Sequence, residues 1–165
     1  MKKRTSTIVY LSVLTALYVV LSAFLKIPLG VGNIMLDLGY IAFTVALGYY
    51  NLWGTVVGVL GCTLESMLFS AYGFSISWAV ANLIIGLGCG IVFRKTEKQW
   101  VRIASIVIFS ALGLLGAKTI IECALYDIPL LVKIPKNAVA FVTDCAVMII
   151  GLVVFNTLKK RVKNS

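Results

Sequence analysis

Histidine is absent from the 165-residue chain. Its absence removes the usual proton shuttle, the commonest metal ligand and any Ser-His or Cys-His catalytic arrangement. Charged residues are also scarce, at 13%, whereas 61% of the residues are hydrophobic, which is far from the composition of a soluble domain. The sequence therefore indicates a membrane protein that is not an enzyme.

Sequence motifs for metals, redox chemistry and nucleotides are missing as well. The four cysteines, Cys62, Cys89, Cys123 and Cys145, are spread one per apolar segment, without the close pairs that zinc or redox motifs require. We interpret them as buried small hydrophobic residues. No Walker motif is present, so ATP-driven work would need a separate ATPase. The sequence predicts no cofactor and no metal site.

Long apolar runs dominate what is present. They approach the roughly 20 residues that cross a hydrocarbon layer of about 30 Å, and they are continuous, which disfavours a β-barrel. We predict an all-α integral membrane protein, a six-transmembrane-helix bundle in a single membrane domain, residues 1–165. The predicted helices cover about residues 7–25, 38–50, 55–70, 76–93, 103–126 and 137–158, with Pro-containing loops at 26–33 and 127–136.

The net charge of +9 is concentrated at the ends of the apolar runs, so we expect topology signals and no nucleic-acid partner. Eleven of the 15 basic residues lie in the N-terminus, the 94–102 link and the C-terminal tail. Placing these segments on one side predicts that both termini are cytoplasmic and that the number of spans is even. The apolar stretch at 8–25 is long for a signal peptide, and we interpret it as a retained helix.

Small residues recur at four-residue spacing in the pairs Ser12 and Ala16, 54 and 58, and 86 and 90. Such spacing lets helix backbones approach closely in lipid. Packing within the chain explains it, and docking of another membrane subunit is the alternative, which suits Ser12 and Ala16 best.

The few ionisable residues inside the spans are candidates for function, because each costs at least about 2.5 kcal/mol on insertion scales. Lys118 and Glu122 lie four residues apart on the fifth helix and can pair on one face; the pair is either structural or directed at a ligand. Glu65 lies near mid-span, where it either contacts a ligand or forms a polar contact that holds two helices together. Asp37 has a structural explanation at a helix N-terminus.

Aromatic and amide side chains supply a second set of candidates. Trp78 and Asn82 lie four residues apart on the fourth helix and together offer a stacking surface and an amide to a flat heterocycle; a core role is the alternative. Asn137 and Asp144 share a face of the sixth helix, with Lys136 just outside it. Asp144 either contacts substrate or holds Lys118 or another helix. These residues predict an outward-facing pocket.

Three glycine-rich apolar segments resemble a known family: DLGYIA at 37–42, LGYYNLWGTVVG at 47–58 and ANLIIGLGCG at 81–90. The chain resembles the substrate-binding S components of energy-coupling factor (ECF) vitamin transporters over nearly its whole length. Within that family it is most similar to the folate-type branch, in residues 118–119, 125–129 and 135–137. Lys118 and Lys136 depart from the Asn and Arg expected there, and lysine lacks the bidentate fork that suits a carboxylate.

The resemblance implies a subunit in the cell membrane of a prokaryote that binds a vitamin outside and associates with a transmembrane coupling (T) subunit and two ATPases. Ser12 and Ala16 match the family's contact with the coupling subunit. The mixture of donors and acceptors favours a heteroaromatic ligand, so folate, a queuosine precursor and pyrimidine or pyridine vitamins compete. Alternatives are a freestanding proton-coupled carrier or channel using Glu65, Glu122 and Asp144, a lipid-modifying enzyme, and a structural subunit.

Overall fold

The computed structural model of the chain describes residues 2–25, 27–28, 35–69 and 73–163. The predicted loop at 26–33 and the end of the predicted third helix at Ser70 lie mostly outside these ranges. Within them the protein is almost entirely helical. The helices are α1 (Lys2–Phe24), α2 (Gly39–Tyr50), α3 (Thr55–Phe69), α4 (Ile76–Lys95), α5 (Gln99–Ser110), α6 (Thr119–Tyr126) and α7 (Leu130–Lys163).

Three shorter elements complete the described ranges. A 3₁₀ turn, Asn51–Gly54, joins α2 to α3, and a π-helical segment, Ala111–Lys118, joins α5 to α6 without a break. The two-residue strands β1 (Ile27–Pro28) and β2 (Met35–Leu36) pair antiparallel ahead of α2.

Five stretches of the described chain are long and apolar enough to cross a membrane. They are Thr5–Phe24, Gly39–Phe69, Ile76–Lys95, Gln99–Tyr126 and Leu130–Val162. The helical membrane fold is as predicted, whereas the stretch Gly39–Phe69 combines the predicted second and third helices.

The stretch Gly39–Phe69 is folded back on itself. Asn51 adopts a positive φ of 52° at the turn, and a Cβ on Gly54 would come within 2.5 Å of the Leu47 backbone nitrogen. A Cβ on Gly58 would come equally close to the Phe43 ring, at 2.5 Å. Glycine is therefore required where the two helices meet, and α3 runs antiparallel to α2. At about 1.5 Å per residue, each helix is shorter than the about 30 Å hydrocarbon layer.

Glycines also bring α4 close to its neighbours. A Cβ on Gly86 would lie 2.6 Å from the Thr55 side chain, and one on Gly88 would lie 2.1 Å from the Phe109 ring. The small residues at 54, 58, 86 and 90 are thus used for packing within the chain. In contrast, Ser12 and Ala16 are exposed on α1.

Three predicted boundaries in the C-terminal half are wrong. The loop predicted at 127–136 contains only residues 127–129, because α7 begins at Leu130 and includes Pro135. The helix predicted at 137–158 is therefore longer at both ends. Pro135 is the sixth residue of α7, so its missing N–H removes one intrahelical hydrogen bond. Asp127, with φ 49°, ends α6 in the left-handed conformation. The helix predicted to begin at 103 begins at Gln99.

Large buried side chains from α1, α2, α4, α5, the π segment and α7 form one core along the bundle. Its largest fully buried members are Tyr18, Tyr40, Phe43, Leu47, Ile85, Ile106, Leu114, Met148, Leu152 and Phe155. Most other apolar side chains point outward, and Trp53 and Trp100 are 69% and 83% exposed near the end that contains the 96–98 link. Outward apolar side chains are expected where lipid is the solvent.

Candidate functional site

A cavity of about 300 Å³ opens at the end of the bundle opposite the 96–98 link. It lies where α1, α3 and α6 end and where α4 and α7 begin. Its lining is unusually polar for a membrane bundle. The lining residues are Tyr18, Asp37, Cys62, Glu65, Ser66, Trp78, Lys118, Glu122, Lys133, Lys136, Asn137, Ala140 and Asp144.

The centre of the site is an ion network around Glu122. Lys118 Nζ lies 3.0 Å from Glu122 Oε1, which confirms the predicted pair, and Lys133 Nζ lies 3.2 Å from Glu122 Oε2. Ser77 Oγ donates to Oε1 over 3.3 Å. All of these groups are buried or nearly so. Each charge is thus compensated by a neighbour, as burial in a membrane requires.

Asn137 joins this network from α7. Its Oδ1 accepts a hydrogen bond of 2.6 Å from Lys118 Nζ, and its Nδ2 donates to Thr119 Oγ1 over 2.9 Å and to Glu122 Oε2 over 3.4 Å. Asn137 is 1% exposed. The amide therefore uses both its donor and its acceptor to fix α7 against the end of the π segment.

Trp78 forms the aromatic wall of the cavity. Lys118 Nζ lies 4.4 Å from the centroid of the Trp78 ring, which is within the range of a cation–π contact. Lys118 therefore has three partners, Glu122, Asn137 and Trp78.

The π-helical segment determines where Lys118 lies. Its hydrogen bonds span five residues, so the helix is wider there, and short π segments often occur at functional sites. Thr119 Oγ1 donates to the Leu114 carbonyl over 3.0 Å, five residues earlier. The hydroxyl thereby stabilises the wider turn that ends at Lys118.

Acidic side chains line the opposite wall. Asp37 Oδ1 accepts from the backbone N–H of Gly39 over 2.8 Å and from Ser22 Oγ over 2.5 Å, which is the predicted role at a helix start. Asp144 is 2% exposed on α7, two turns deeper than Asn137. Glu65 lies on this side from α3. The cavity thus has lysines from the π segment and the first turns of α7, whereas Asp37, Glu65 and Asp144 supply acidic groups from the start of α2, from α3 and from deeper in α7.

Seven of the eight predicted substrate-site residues line this one cavity: Glu65, Trp78, Lys118, Glu122, Lys136, Asn137 and Asp144. Asn82 does not line it and is fully buried one turn below Trp78. Sequence reasoning missed Tyr18, Cys62, Ser66, Lys133 and Ala140. Lys133 was assigned to a loop. Its position four residues before Asn137 would have placed it on the same helix face as Asn137, had the helix been predicted to begin earlier. Among the described residues no group of His, Cys, Asp or Glu side chains could hold a metal ion.

The fold has a solved counterpart. The S component for biotin from an ECF-type ABC transporter superposes with a TM-score of 0.70, over 96% of this chain and 93% of that chain. The sequences are 18% identical, so this likeness shows the shared fold. A family model for the ECF-type riboflavin transporter S component matches residues 2–164.

The chain belongs to this S component family. Family and fold are those of the substrate-binding components of transporters, which are not enzymes. With five apolar helical stretches of sufficient length to cross a bilayer, this S component is a prokaryotic membrane protein. The matching model is named for riboflavin, whereas the sequence motifs had suggested the folate-type branch.

Curated relatives are similar over part of their length. A UPF0397 protein of Enterococcus faecalis is 32% identical over 100 residues, which are 59% of this chain and 54% of the relative. A UPF0397 protein of Clostridium perfringens is 28% identical over 118 residues, which are 70% of this chain and 63% of the relative. The matched regions thus span less than two thirds of these relatives.

Proposed function

We propose that the chain is the substrate-binding subunit of an ECF-type ABC importer and captures a vitamin-like heteroaromatic micronutrient. The observation that carries the proposal is the cavity of about 300 Å³, in which ionic groups cluster within a lipid-facing bundle. Compensating several charges in a membrane is costly, and intramembrane ionisable groups by default indicate a transport or binding site. Trp78 offers a ring-stacking surface, and Lys133 and Lys136 offer donors.

The direction of capture follows from the charge distribution. The first described residues of α1, the last described residues of α7 and the 94–102 link lie at the end of the bundle opposite the cavity. The N-terminus, this link and the C-terminal tail hold 11 of the 15 basic residues. By the positive-inside rule that end is cytoplasmic. If α5, the π segment and α6 are counted as one segment, the described helices form six segments. These then all cross the cell membrane in alternating directions, and the cavity opens outward.

The substrate contacts we propose are Trp78, Lys118, Glu122, Lys136 and Asn137. We include Lys133 as well, because it lines the cavity. Glu65 and Asp144 are further candidates on the acidic wall. Riboflavin is the first substrate to test, because the matching family model carries its name. Biotin and folate follow, together with a queuosine precursor and the pyrimidine and pyridine vitamins.

Energy for uptake would come from partners. We propose a transmembrane coupling subunit and two ATPases, with Ser12 and Ala16 as the coupling contact. These two small residues are exposed on α1, whereas the other small-residue pairs pack inside the chain. Small exposed residues at this spacing allow close approach of another helix.

The first experiment is to purify the chain in mild detergent and identify by mass spectrometry any small molecule that is retained. Riboflavin and the other vitamins are then titrated against the wild type, Lys118→Ala and Lys159→Ala. Lys159 pairs with Glu97 at the other end of the bundle, so it is the matched control. Binding lost only in Lys118→Ala supports the proposal. A folded wild type that retains and binds none of the compounds refutes it.

A freestanding proton-coupled carrier is the competing function. It would use Glu65, Glu122 and Asp144 as proton-transferring groups. Uptake into cells that lack the coupling subunit and ATPases separates the two functions. Uptake that requires those subunits supports an S component, whereas uptake that follows the proton gradient without them supports a carrier.

A further inference from the structure

Beside the cavity lies a group of buried polar side chains that the protein leaves unsatisfied. In the part of the chain that the structure describes, Tyr40 Oη, Asn82 Nδ2, Asn82 Oδ1 and Asp144 Oδ2 are buried and have no hydrogen-bond partner. The exposed fractions of the three residues are 1%, 0% and 2%. A fifth such atom, Thr55 Oγ1, lies beside Gly86 and outside this group.

The three side chains converge from different helices. Tyr40 on α2 faces both the Asn82 amide on α4 and the Asp144 carboxyl group on α7, without reaching hydrogen-bond geometry with either. Of the three, only Asp144 lines the cavity. The residues thus form a row from Asn82 through Tyr40 to Asp144, and the row ends at the cavity wall.

The direct contacts of the neighbouring lysines are to other groups than this row. Lys118 has Glu122, Asn137 and Trp78 as partners, and Lys133 lies on Glu122. A buried polar group without a partner is costly, and most are satisfied in native proteins. Unsatisfied groups that persist in a core are a recognised feature of functional sites, where stability is given up for binding.

The donor inventory determines which ligand group would fit. The Asn82 amide can donate to Tyr40 Oη, and the single Tyr40 hydroxyl hydrogen can then be donated to Asp144 Oδ2. A carboxyl group accepts several hydrogen bonds, so Asp144 keeps acceptor capacity toward the cavity whether it is ionised or holds its proton. Asp144 therefore offers an acceptor to the cavity.

We infer that Asp144 is the specificity-determining residue at the deep end of the cavity and binds an N–H donor of the substrate, a ring N–H or an amine. Tyr40 and Asn82 are positioning residues that lie on the side of the Asp144 carboxyl group away from the cavity and orient it. This inference rests on the proposed function. It limits the substrate to compounds that carry an N–H donor on the part of the molecule that lies deepest in the cavity. Acceptor groups of the substrate then remain near Lys133 and Lys136.

Thermal unfolding of the ligand-free protein tests the inference without a known substrate. Asn82→Leu is compared with Asn137→Leu, the same substitution at an equally buried amide whose hydrogen bonds are all made. We expect Asn82→Leu and Asp144→Leu to leave the midpoint unchanged or to raise it, and Asn137→Leu to lower it by about 4 °C or more. Equal losses in all three variants would overturn the inference, because the row would then be structural.

Ligand discrimination provides the second readout. Riboflavin has one ring N–H, and its N3-methyl derivative has none, so the two compounds are titrated against each variant. We expect wild type to prefer riboflavin by at least about 100-fold, and Asp144→Leu and Asn82→Leu to lose most of that preference, with Asp144→Asn intermediate. Preference that is unchanged in Asp144→Leu would overturn the inference.

Failure of the inference and failure of the proposed function give different results. If wild type binds none of the vitamins, the proposed function fails, whereas the unfolding comparison still decides whether the row is structural. If wild type binds riboflavin and its N3-methyl derivative equally, the proposed function stands and Asp144 does not determine specificity.

Discussion

The Lys133 ammonium lies 3.2 Å from Glu122 Oε2 and connects the first turn of α7 to α6. Residues 127–129 are the whole link between these helices. Because Asp127 ends α6 with a positive φ, the chain reverses within three residues and returns Lys133 to Glu122. The pair therefore fixes the two helices at the mouth of the cavity.

Lys133→Met keeps the length of the side chain and removes its charge. We expect the dissociation constant for the retained vitamin to rise about tenfold, because a hydrogen bond to a charged group contributes about 1.5–3 kcal/mol. Isothermal titration in detergent measures the change. Lys159→Met is the control, since Lys159 forms the ion pair with Glu97 at the other end. Equal losses in both variants would contradict a role for Lys133 at the cavity.

Glu122→Gln leaves Lys118 and Lys133 without their shared counter-ion. Breaking a buried ion pair typically costs about 3–5 kcal/mol, so we expect a clearly lower unfolding midpoint and loss of vitamin binding. Glu97→Gln removes the acid of an exposed pair, for which about 0–1 kcal/mol is typical. Thermal unfolding of both variants is the measurement. A Glu122→Gln protein as stable as Glu97→Gln would show that the network is not structural.

Gly88→Ala tests the close packing of α4. The added Cβ would lie 2.1 Å from the Phe109 ring, and overpacking costs about 1–3 kcal/mol. Gly116→Ala is the matched control, because a Cβ there meets nothing within 4 Å. We expect a lower unfolding midpoint for Gly88→Ala and little change for Gly116→Ala. A Gly88→Ala protein of wild-type stability would mean that Phe109 moves aside without cost.

Ser12→Leu and Ala16→Leu test the proposed coupling surface. Both residues are exposed on α1, so we expect unchanged folding and vitamin binding but at least about tenfold slower ATP-dependent uptake, because bulky side chains prevent close helix approach. Val13→Leu, also exposed on α1, is the control. Uptake by cells that express the whole transporter is measured. Normal uptake in the Ser12 and Ala16 variants would place the coupling contact elsewhere.

Much of the site was predictable because helix spacing is local. Lys118 and Glu122 lie four residues apart, which places them on one face of a helix before any tertiary structure is known. Asn137 and Asp144 lie seven apart and share a face for the same reason. The cost of ionisable groups in a membrane then singled out Lys118, Glu122 and Asp144.

Other features depend on tertiary structure and were not predictable. Two prolines suggested a loop at 127–136, but Pro135 is accommodated inside α7, so Lys133 was assigned to the wrong element. The π segment at Ala111–Lys118 has more residues per turn than an α-helix. The side chains after it therefore point in directions that α-helical spacing does not predict. Asn82 shares a helix with Trp78, yet neighbouring helices bury it behind the cavity wall.

Helix lengths differ widely across the bundle. At about 1.5 Å per residue, the 15-residue α3 spans about 22 Å, whereas the 34-residue α7 spans about 51 Å. The apolar part of α7 between Lys136 and Lys159 has 22 residues, from 137 to 158, and spans about 33 Å, so its hydrophobic length still exceeds that of α3. Thin bilayers suit the α3 side and thick bilayers suit the α7 side, so hydrophobic mismatch makes the tilt of the protein depend on the lipids around it.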